Sequence, residues 1–97
     1  MKGTVTLIVP CYNEEESLPI FYHAVCDVAQ TLPDYQMTFL LINDGSKDNT
    51  LQIMRDLAAK DERVKYLSFS RNFGKEAAMY AGFCNAEGDY VAVMDAD

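Results

Sequence analysis

Residues 4–16, TVTLIVPCYNEEE, decide the fold. Thr4 to Pro10 is β-branched and nearly all apolar, the composition of a strand covered on both faces in a parallel sheet. Asn13 and the three glutamates Glu14, Glu15 and Glu16 follow at once. They favour a helix N-terminus, through side-chain capping and through the helix dipole. A buried strand that runs straight into a helix start is the first half of a β-α-β unit, and the rest of the chain repeats the pattern.

Leu18, Phe21, Val25, Val28 and Leu32 recur at three- and four-residue spacing. They predict a helix from about Glu15 to Leu32, which Pro33 ends. Met37 to Asn43 (MTFLLIN) reads as a second buried strand, and Asp44-Gly45-Ser46 is turn chemistry. Leu51, Met54, Leu57 and Ala58 predict a second helix capped near Asp48 or Asn49, and Ser46 and Asp48 are read as helix caps rather than ligands. Val64 to Ser70 is a third strand, Lys75 to Ala86 an Ala-rich third helix, and Tyr90 to Met94 (YVAVM) a fourth strand. The order β-α-β-α-β-α-β predicts a three-layer α/β/α fold with a mostly parallel sheet, helices on both faces and right-handed crossovers. Met37, Met54, Met79 and Met94 are expected to fill the core. Residues 1–97 read as one unit that ends directly after a strand, which predicts the N-terminal piece of a larger domain.

Of the 97 residues, 49% are hydrophobic, a globular composition. Fifteen acidic residues against eight basic give a net charge of −7, which excludes a basic nucleic-acid surface. For a phosphate ligand the same balance demands cations in the site: a carboxylate about 4 Å from a phosphate charge costs roughly 4 kcal/mol at an effective dielectric near 20. Cys11, Cys26 and Cys84 have neither metal-site spacing nor a disulfide framework, so reduced thiols in a cytoplasmic compartment are expected. No stretch is long and apolar enough to span a membrane.

In an open α/β sheet, ligands bind outside the carboxyl ends of the strands. Here those ends are Pro10-Cys11-Tyr12-Asn13-Glu14, Asn43-Asp44-Gly45-Ser46, Ser70-Arg71-Asn72-Phe73-Gly74-Lys75 and Asp95-Ala96-Asp97. Topology alone brings them to one edge. Candidate nucleotide contacts at these ends are Tyr12, Glu14, Asp44 and Asp95, with Asn13 and Gly45 beside them. Tyr12 offers a stacking face, and Glu14 and Asp44 offer acceptors to ribose or base. Arg71 and Lys75 are the cations that the charge balance demands; Gly74 would let a backbone or phosphate approach closely. Asp95 and Asp97 are candidate catalytic residues and candidate ligands for Mg2+ or Mn2+, cations that suit carboxylate and phosphate oxygens. His23 reads as a helix-surface residue, and nothing near Cys11 would activate its thiol. There is no Gly-x-Gly-x-x-Gly after the first strand and no Gly-Lys-Ser/Thr, so dinucleotide and ATP-loop sites are disfavoured. A metal-dependent hydrolase would place a nucleophilic aspartate on an early strand, where this chain has Pro10-Cys11-Tyr12.

VTLIVPCYNEEESL, LLINDGSKDNT, SRNFGKEAAMYAGF and GDYVAVMDAD occur in this order across essentially the whole chain. Together they resemble the inverting family-2 glycosyltransferases of GT-A fold, most of all the polyprenyl-phosphate and dolichyl-phosphate sugar transferases. The resemblance implies transfer from a UDP-sugar, with GDP-mannose as the alternative donor, to a lipid phosphate at the cytoplasmic face of a membrane. It implies that Pro10, Tyr12 and Glu14 surround base and ribose, that Asp44 reads the base, and that Arg71 and Lys75 meet the diphosphate and acceptor phosphate. Asp95 and Asp97 match the acidic motif, with Asp97 the direct metal ligand. A nucleotide-binding module without activity is the rival reading, and homo-oligomers are open through exposed sheet edges.

Overall fold

The computed structural model describes residues 2–96. Strands β1 (Gly3–Cys11), β2 (Tyr35–Asn43), β3 (Val64–Ser68) and β4 (Tyr90–Val93) alternate with helices α1 (Ser17–Gln30), α2 (Thr50–Lys60) and α3 (Lys75–Asn85). All pairings are parallel, in the order β3-β2-β1-β4. The expected α/β architecture is therefore present, with every predicted element.

The two central strands are apolar on both faces because both are covered. Leu7, Val9 and Cys11 of β1 pack with Met37, Phe39 and Leu41 of β2 against Leu18 and Val25 of α1 and Met54 and Leu57 of α2. The alternate residues Ile8, Leu40 and Ile42 face the other way and meet Ala78 of α3. α3 lies so close that a Cβ added at Gly82 would collide with the Ile8 side chain.

The strand order sets the site. From β1 the chain steps to β2 and then to β3, and both crossover helices pack on one face. It then returns over the other face in α3 and lays β4 on the far side of β1. The direction of winding reverses between β1 and β4, and a crevice opens at such a switch point. β4 pairs with β1 only over Val5–Ile8. The Met94 N–H still bonds the Ile8 carbonyl. Backbone groups alternate sides along a strand, so Pro10, two residues further on, turns its missing donor to that same side, beyond the ladder, where a proline costs no hydrogen bond.

Element ends shift from the sequence reading by a few residues, and some expected core residues are exposed. α1 starts at Ser17 and ends at Gln30, without a side-chain cap, so the glutamates lie in the loop before it. Val28 and Leu32, read as part of its buried stripe, are exposed; in the second half of α1 it is Val25, Cys26 and Ala29 that face the core. β3 stops at Ser68, where its neighbour β2 turns away at Asn43. Met37 and Met54 are core residues as expected, but Met79 is only half-buried and Met94, just past the edge strand β4, is exposed.

Candidate functional site

The loops at the carboxyl ends of the strands are stitched together before any ligand is considered. Asn13 adopts a left-handed backbone, φ 54°, a conformation Asn tolerates better than most residues. Its N–H donates to Ser46 Oγ at 3.0 Å, and its Oδ1 accepts from the Lys47 N–H at 2.8 Å. The Glu14 N–H donates to Thr50 Oγ1 at 2.8 Å and the Glu15 N–H to Asp48 Oδ2 at 3.2 Å. Asp48 Oδ1 accepts from the N–H of Thr50, the first residue of α2, at 2.9 Å, from one residue before the N-cap position, where Asn49 makes no side-chain cap bond. Burial pushes the Asp48 carboxyl up, but the Thr50 hydroxyl and N–H and the Glu15 N–H outweigh it and leave the pKa lowered. Ser46, read as a cap, instead tethers the β1–α1 loop. That role depends on the β1–β2 register and leaves no local signature.

Asp44 is the hub of the second joint. Its side chain is buried at the end of β2. Oδ1 accepts from the Phe73 N–H at 2.8 Å, and Oδ2 accepts from the Gly74 N–H and from Asn72 Nδ2, both at 3.1 Å. Asn72 Nδ2 also donates to the Asp44 carbonyl at 3.1 Å. The local turn considered for Asp44 is thus a long-range lock on the β3–α3 loop. Gly45, at φ 70°, has the Arg71–Asn72 backbone pressed against the place a Cβ would take, so glycine is required there by space and by conformation. Gly74, at φ 103°, has open space beside it. Its N–H serves Asp44 and its carbonyl accepts from Ala78 inside α3. Asn72 was not singled out from the sequence: an amide 28 residues from its partner gives no pattern.

The lock delivers Lys75, the first residue of α3, to the cleft. Lys75 Nζ meets Asp95 Oδ1 at 2.6 Å, joining the start of α3 to the end of β4 across the switch point. The cleft measures about 280 Å³ and is lined by Pro10, Cys11, Tyr12, Glu14, Asp44, Lys75 and Asp95. Tyr12 is 42% exposed, its ring available as a stacking surface. Glu14 is half-buried and accepts from the Ser17 hydroxyl at 2.6 Å. Cys11 is buried, with its thiol directed at the Val9 carbonyl.

Six of the expected residues therefore converge on one cleft: Pro10, Tyr12, Glu14, Asp44, Lys75 and Asp95. Asn13, Gly45 and Gly74 lie in the loops that frame it. Arg71 does not line it: its guanidinium lies over the Phe73 ring, 5.1 Å from the centroid. Asp97 lies outside the described residues. Among the described residues no three of His, Cys, Asp and Glu come together as a metal-binding group. The donor set is Asp95, a carboxylate already paired with a cation. That chemistry fits Mg2+ or Mn2+, which bind through one or two carboxylates plus substrate phosphates rather than a full protein cage.

A parallel sheet, a switch-point cleft and an acidic strand end define a class, and comparison with known proteins decides among its members. Residues 6–97 match the family model described as glycosyl transferase family 2. The chain belongs to glycosyl transferase family 2. Among family-2 relatives, it is 48% identical over 97 residues to the putative glycosyltransferase CsbB of Bacillus subtilis (strain 168), covering 99% of this chain and 29% of that protein. It is 48% identical over 93 residues to the bactoprenol glucosyl transferase of Shigella phage SfV, covering 96% of this chain and 30% of that one. It is 39% identical over 94 residues to the undecaprenyl-phosphate 4-deoxy-4-formamido-L-arabinose transferase of Pseudomonas fluorescens (strain SBW25), covering 96% of this chain and 27% of that one. The family-2 chain thus spans less than a third of the length of these relatives. Among solved structures, S. aureus TarS 1–349 in complex with UDP-GlcNAc matches with a TM-score of 0.78 and 26% identity, over 97% of this chain and 26% of that one. The mannosyltransferase PcManGT of Pyrobaculum calidifontis, in complex with GDP-Man and Mn2+, matches in fold with a TM-score of 0.77 and 24% identity, over 100% of this chain and 28% of that one. The fold is that of the GT-A glycosyltransferases.

Proposed function

We propose that residues 1–97 form the nucleotide-sugar-binding half of a glycosyltransferase that moves a sugar from a nucleoside-diphosphate sugar to a polyprenyl phosphate. The observation that carries this reading is the switch-point cleft, where an exposed aromatic ring, an acidic strand end and a helix-start lysine meet. Tyr12 stacks on the base, and Pro10 and Glu14 border base and ribose. Asp44 borders the same cleft and holds the loop that carries Lys75; Gly45 and Asn13 serve by fitting the loops together. Lys75 meets the diphosphate, with the partial charge of the α3 N-terminus behind it and Gly74 leaving the approach open. Arg71, outside the cleft, is assigned to the acceptor phosphate.

The reaction is an in-line displacement. A phosphate oxygen of the acceptor bonds the anomeric carbon as the bond to the diphosphate oxygen breaks, and the electron pair leaves with the nucleoside diphosphate. The acceptor phosphate is ionised at neutral pH, so these residues need supply no strong base. Lys75 stabilises charge where it grows on the leaving group. Asp95 and Asp97 would hold Mg2+ or Mn2+, which supplies Lewis-acid neutralisation of the same diphosphate. The lipid acceptor is supported by the names of the bactoprenol and undecaprenyl-phosphate relatives, and the proposed place of action is the cytoplasmic face of a membrane. Among the described residues no helix is long and apolar enough to cross one. Self-association would use the open edge of β4.

UDP is the proposed nucleotide, in keeping with the UDP-GlcNAc complex of TarS. GDP is the second reading, favoured by the GDP-Man and Mn2+ complex of PcManGT. Calorimetric titration of UDP and GDP, each with and without Mn2+, tests both. The expected result is Mn2+-dependent binding with UDP the tighter; absence of binding by either nucleotide would sink the reading. In the same assay Asp97→Ala weakens binding with Mn2+ more than without it, and an equal loss in both conditions removes Asp97 from the metal. Binding without transfer by residues 1–97 alone fits a half-domain; binding without transfer from a UDP-sugar to a polyprenyl phosphate by the larger protein that this reading calls for would support the rival non-catalytic module.

A further inference from the structure

The geometry points to Lys75 as a placeholder cation. Its ammonium holds the Asp95 carboxylate before nucleotide binds, and it yields that carboxylate to a divalent cation arriving with a nucleoside diphosphate. The inference rests on the nucleotide-sugar reading of the cleft, and adds to it an exchange of partners.

Three observations carry it. The first is the ion pair, Lys75 Nζ to Asp95 Oδ1 at 2.6 Å, between side chains that are 57% and 54% exposed. An exposed pair of this kind is held weakly, so a competing cation displaces it at little cost. The second is position. Lys75 is the first residue of α3, where the helix dipole opposes a cation. Its ammonium therefore follows an anion, and it turns to phosphate oxygens once Asp95 is taken. The backbone need not move: the Asp44 bonds to the Phe73 and Gly74 N–H groups hold the helix start, while the four-carbon lysine stem swings. The third is charge. Three carboxylates, Glu14, Asp44 and Asp95, and one ammonium line the cleft, a formal charge of −2. One lysine cannot serve both Asp95 and an incoming diphosphate. A divalent cation on Asp95 releases it for the second task.

The test is Mn2+ binding to the protein without nucleotide, followed by electron paramagnetic resonance. Lys75→Met is expected to tighten Mn2+ binding about threefold, the range an exposed ion pair accounts for, and to weaken UDP binding more at saturating Mn2+, where the lysine is released to the diphosphate, than in metal-free buffer. Lys75→Arg keeps the wild-type Mn2+ affinity. Lys47→Met removes one charge from the neighbouring β2–α2 loop and is expected to shift Mn2+ affinity less than half as much. Mn2+ affinity in Lys75→Met equal to or below wild type, or a shift in Lys47→Met as large as that in Lys75→Met, overturns the placeholder. Failure of the wild-type protein to bind UDP or GDP even with Mn2+ overturns instead the nucleotide-sugar reading on which it rests.

Discussion

At Asp44 a single buried carboxylate receives three donors from one loop, Asn72 Nδ2 and the N–H groups of Phe73 and Gly74. Among the described residues no other side chain accepts hydrogen bonds from that loop's N–H groups, and the loop in turn sets where Lys75 begins α3. Removing the acceptor strands donors at a half-buried joint, each worth about 1 kcal/mol or more when left unmade. Asp44→Ala is expected to lower stability by about 3 kcal/mol, read from the midpoint of urea denaturation. Asp44→Asn, which keeps one acceptor oxygen but turns an amide toward N–H donors, falls between wild type and Ala. A loss below about 0.5 kcal/mol in Asp44→Ala, within the range of ordinary surface changes, would mean that the loop is held by other contacts.

Among the elements, α3 is the one whose seat is decided by a missing atom. Its hydrophobic side is made of small residues, with Ala78 and Gly82 buried against the sheet. A Cβ at Gly82 would meet the Cγ2 of Ile8, the rigid branch of a side chain in the centre of β1 with no room to turn. Two effects therefore oppose each other in Gly82→Ala. Helix propensity favours alanine by about 1 kcal/mol, while forcing a methyl into a packed contact costs about 1–3 kcal/mol. Because Ile8 cannot yield, the packing term wins. A net destabilisation of about 1 kcal/mol is expected in thermal or urea unfolding, and a stabilised variant would show that α3 rides higher on the sheet than the close contact implies. α1 has the opposite arrangement. It is seated through larger side chains, Leu18 and Val25, with Cys26 and Ala29 packed beside them, and it leaves Val28 exposed.

For the molecule as a whole, acid sensitivity is set at the end of the sheet away from the cleft. Asp61, just before β3, accepts from the Arg63 guanidinium at 2.8 Å and from the Tyr22 hydroxyl at 2.6 Å, tying α1 to the α2–β3 turn. The Arg63 bonds, opposed by burial and aided by the Tyr22 hydroxyl, hold the Asp61 carboxyl well below the usual carboxylate range. The same bond raises the Tyr22 hydroxyl. A depressed folded pKa stabilises the fold above the unfolded value near 4 and loses that stability as the pH falls toward the folded value. Asp48 is lowered in the same direction. Between pH 6 and pH 3 the wild type is therefore expected to lose about 1 kcal/mol more stability than Asp61→Asn. That figure is kept small because the Arg63 side chain is 38% exposed and its ion pair is screened. Urea midpoints at the two pH values check it, and equal losses in the two proteins would remove Asp61 from the acid response.

By itself the sequence determined the alternation of strands and helices, and with it the residues that stand at the carboxyl ends of the strands. Apolar runs such as TLIVP and FLLI, and turn residues such as Asp44-Gly45, act through neighbours in the chain, so their reading survives intact. Tyr12, Glu14, Asp44, Lys75 and Asp95 were legible for that reason. What only the tertiary structure decided is which of these ends meet, and on what terms. The order β3-β2-β1-β4 opens the cleft between β1 and β4. Asp44 faces the β3–α3 loop because β2 and β3 pair in the register that brings Asn72 to it. Arg71 leaves the cleft for the Phe73 ring, Lys75 reaches Asp95, and Val28, Leu32 and Met94 remain exposed where no layer covers them. Each of these outcomes depends on contacts between residues tens of positions apart, where register, close packing and the satisfaction of buried donors choose the partner and no local pattern records the choice.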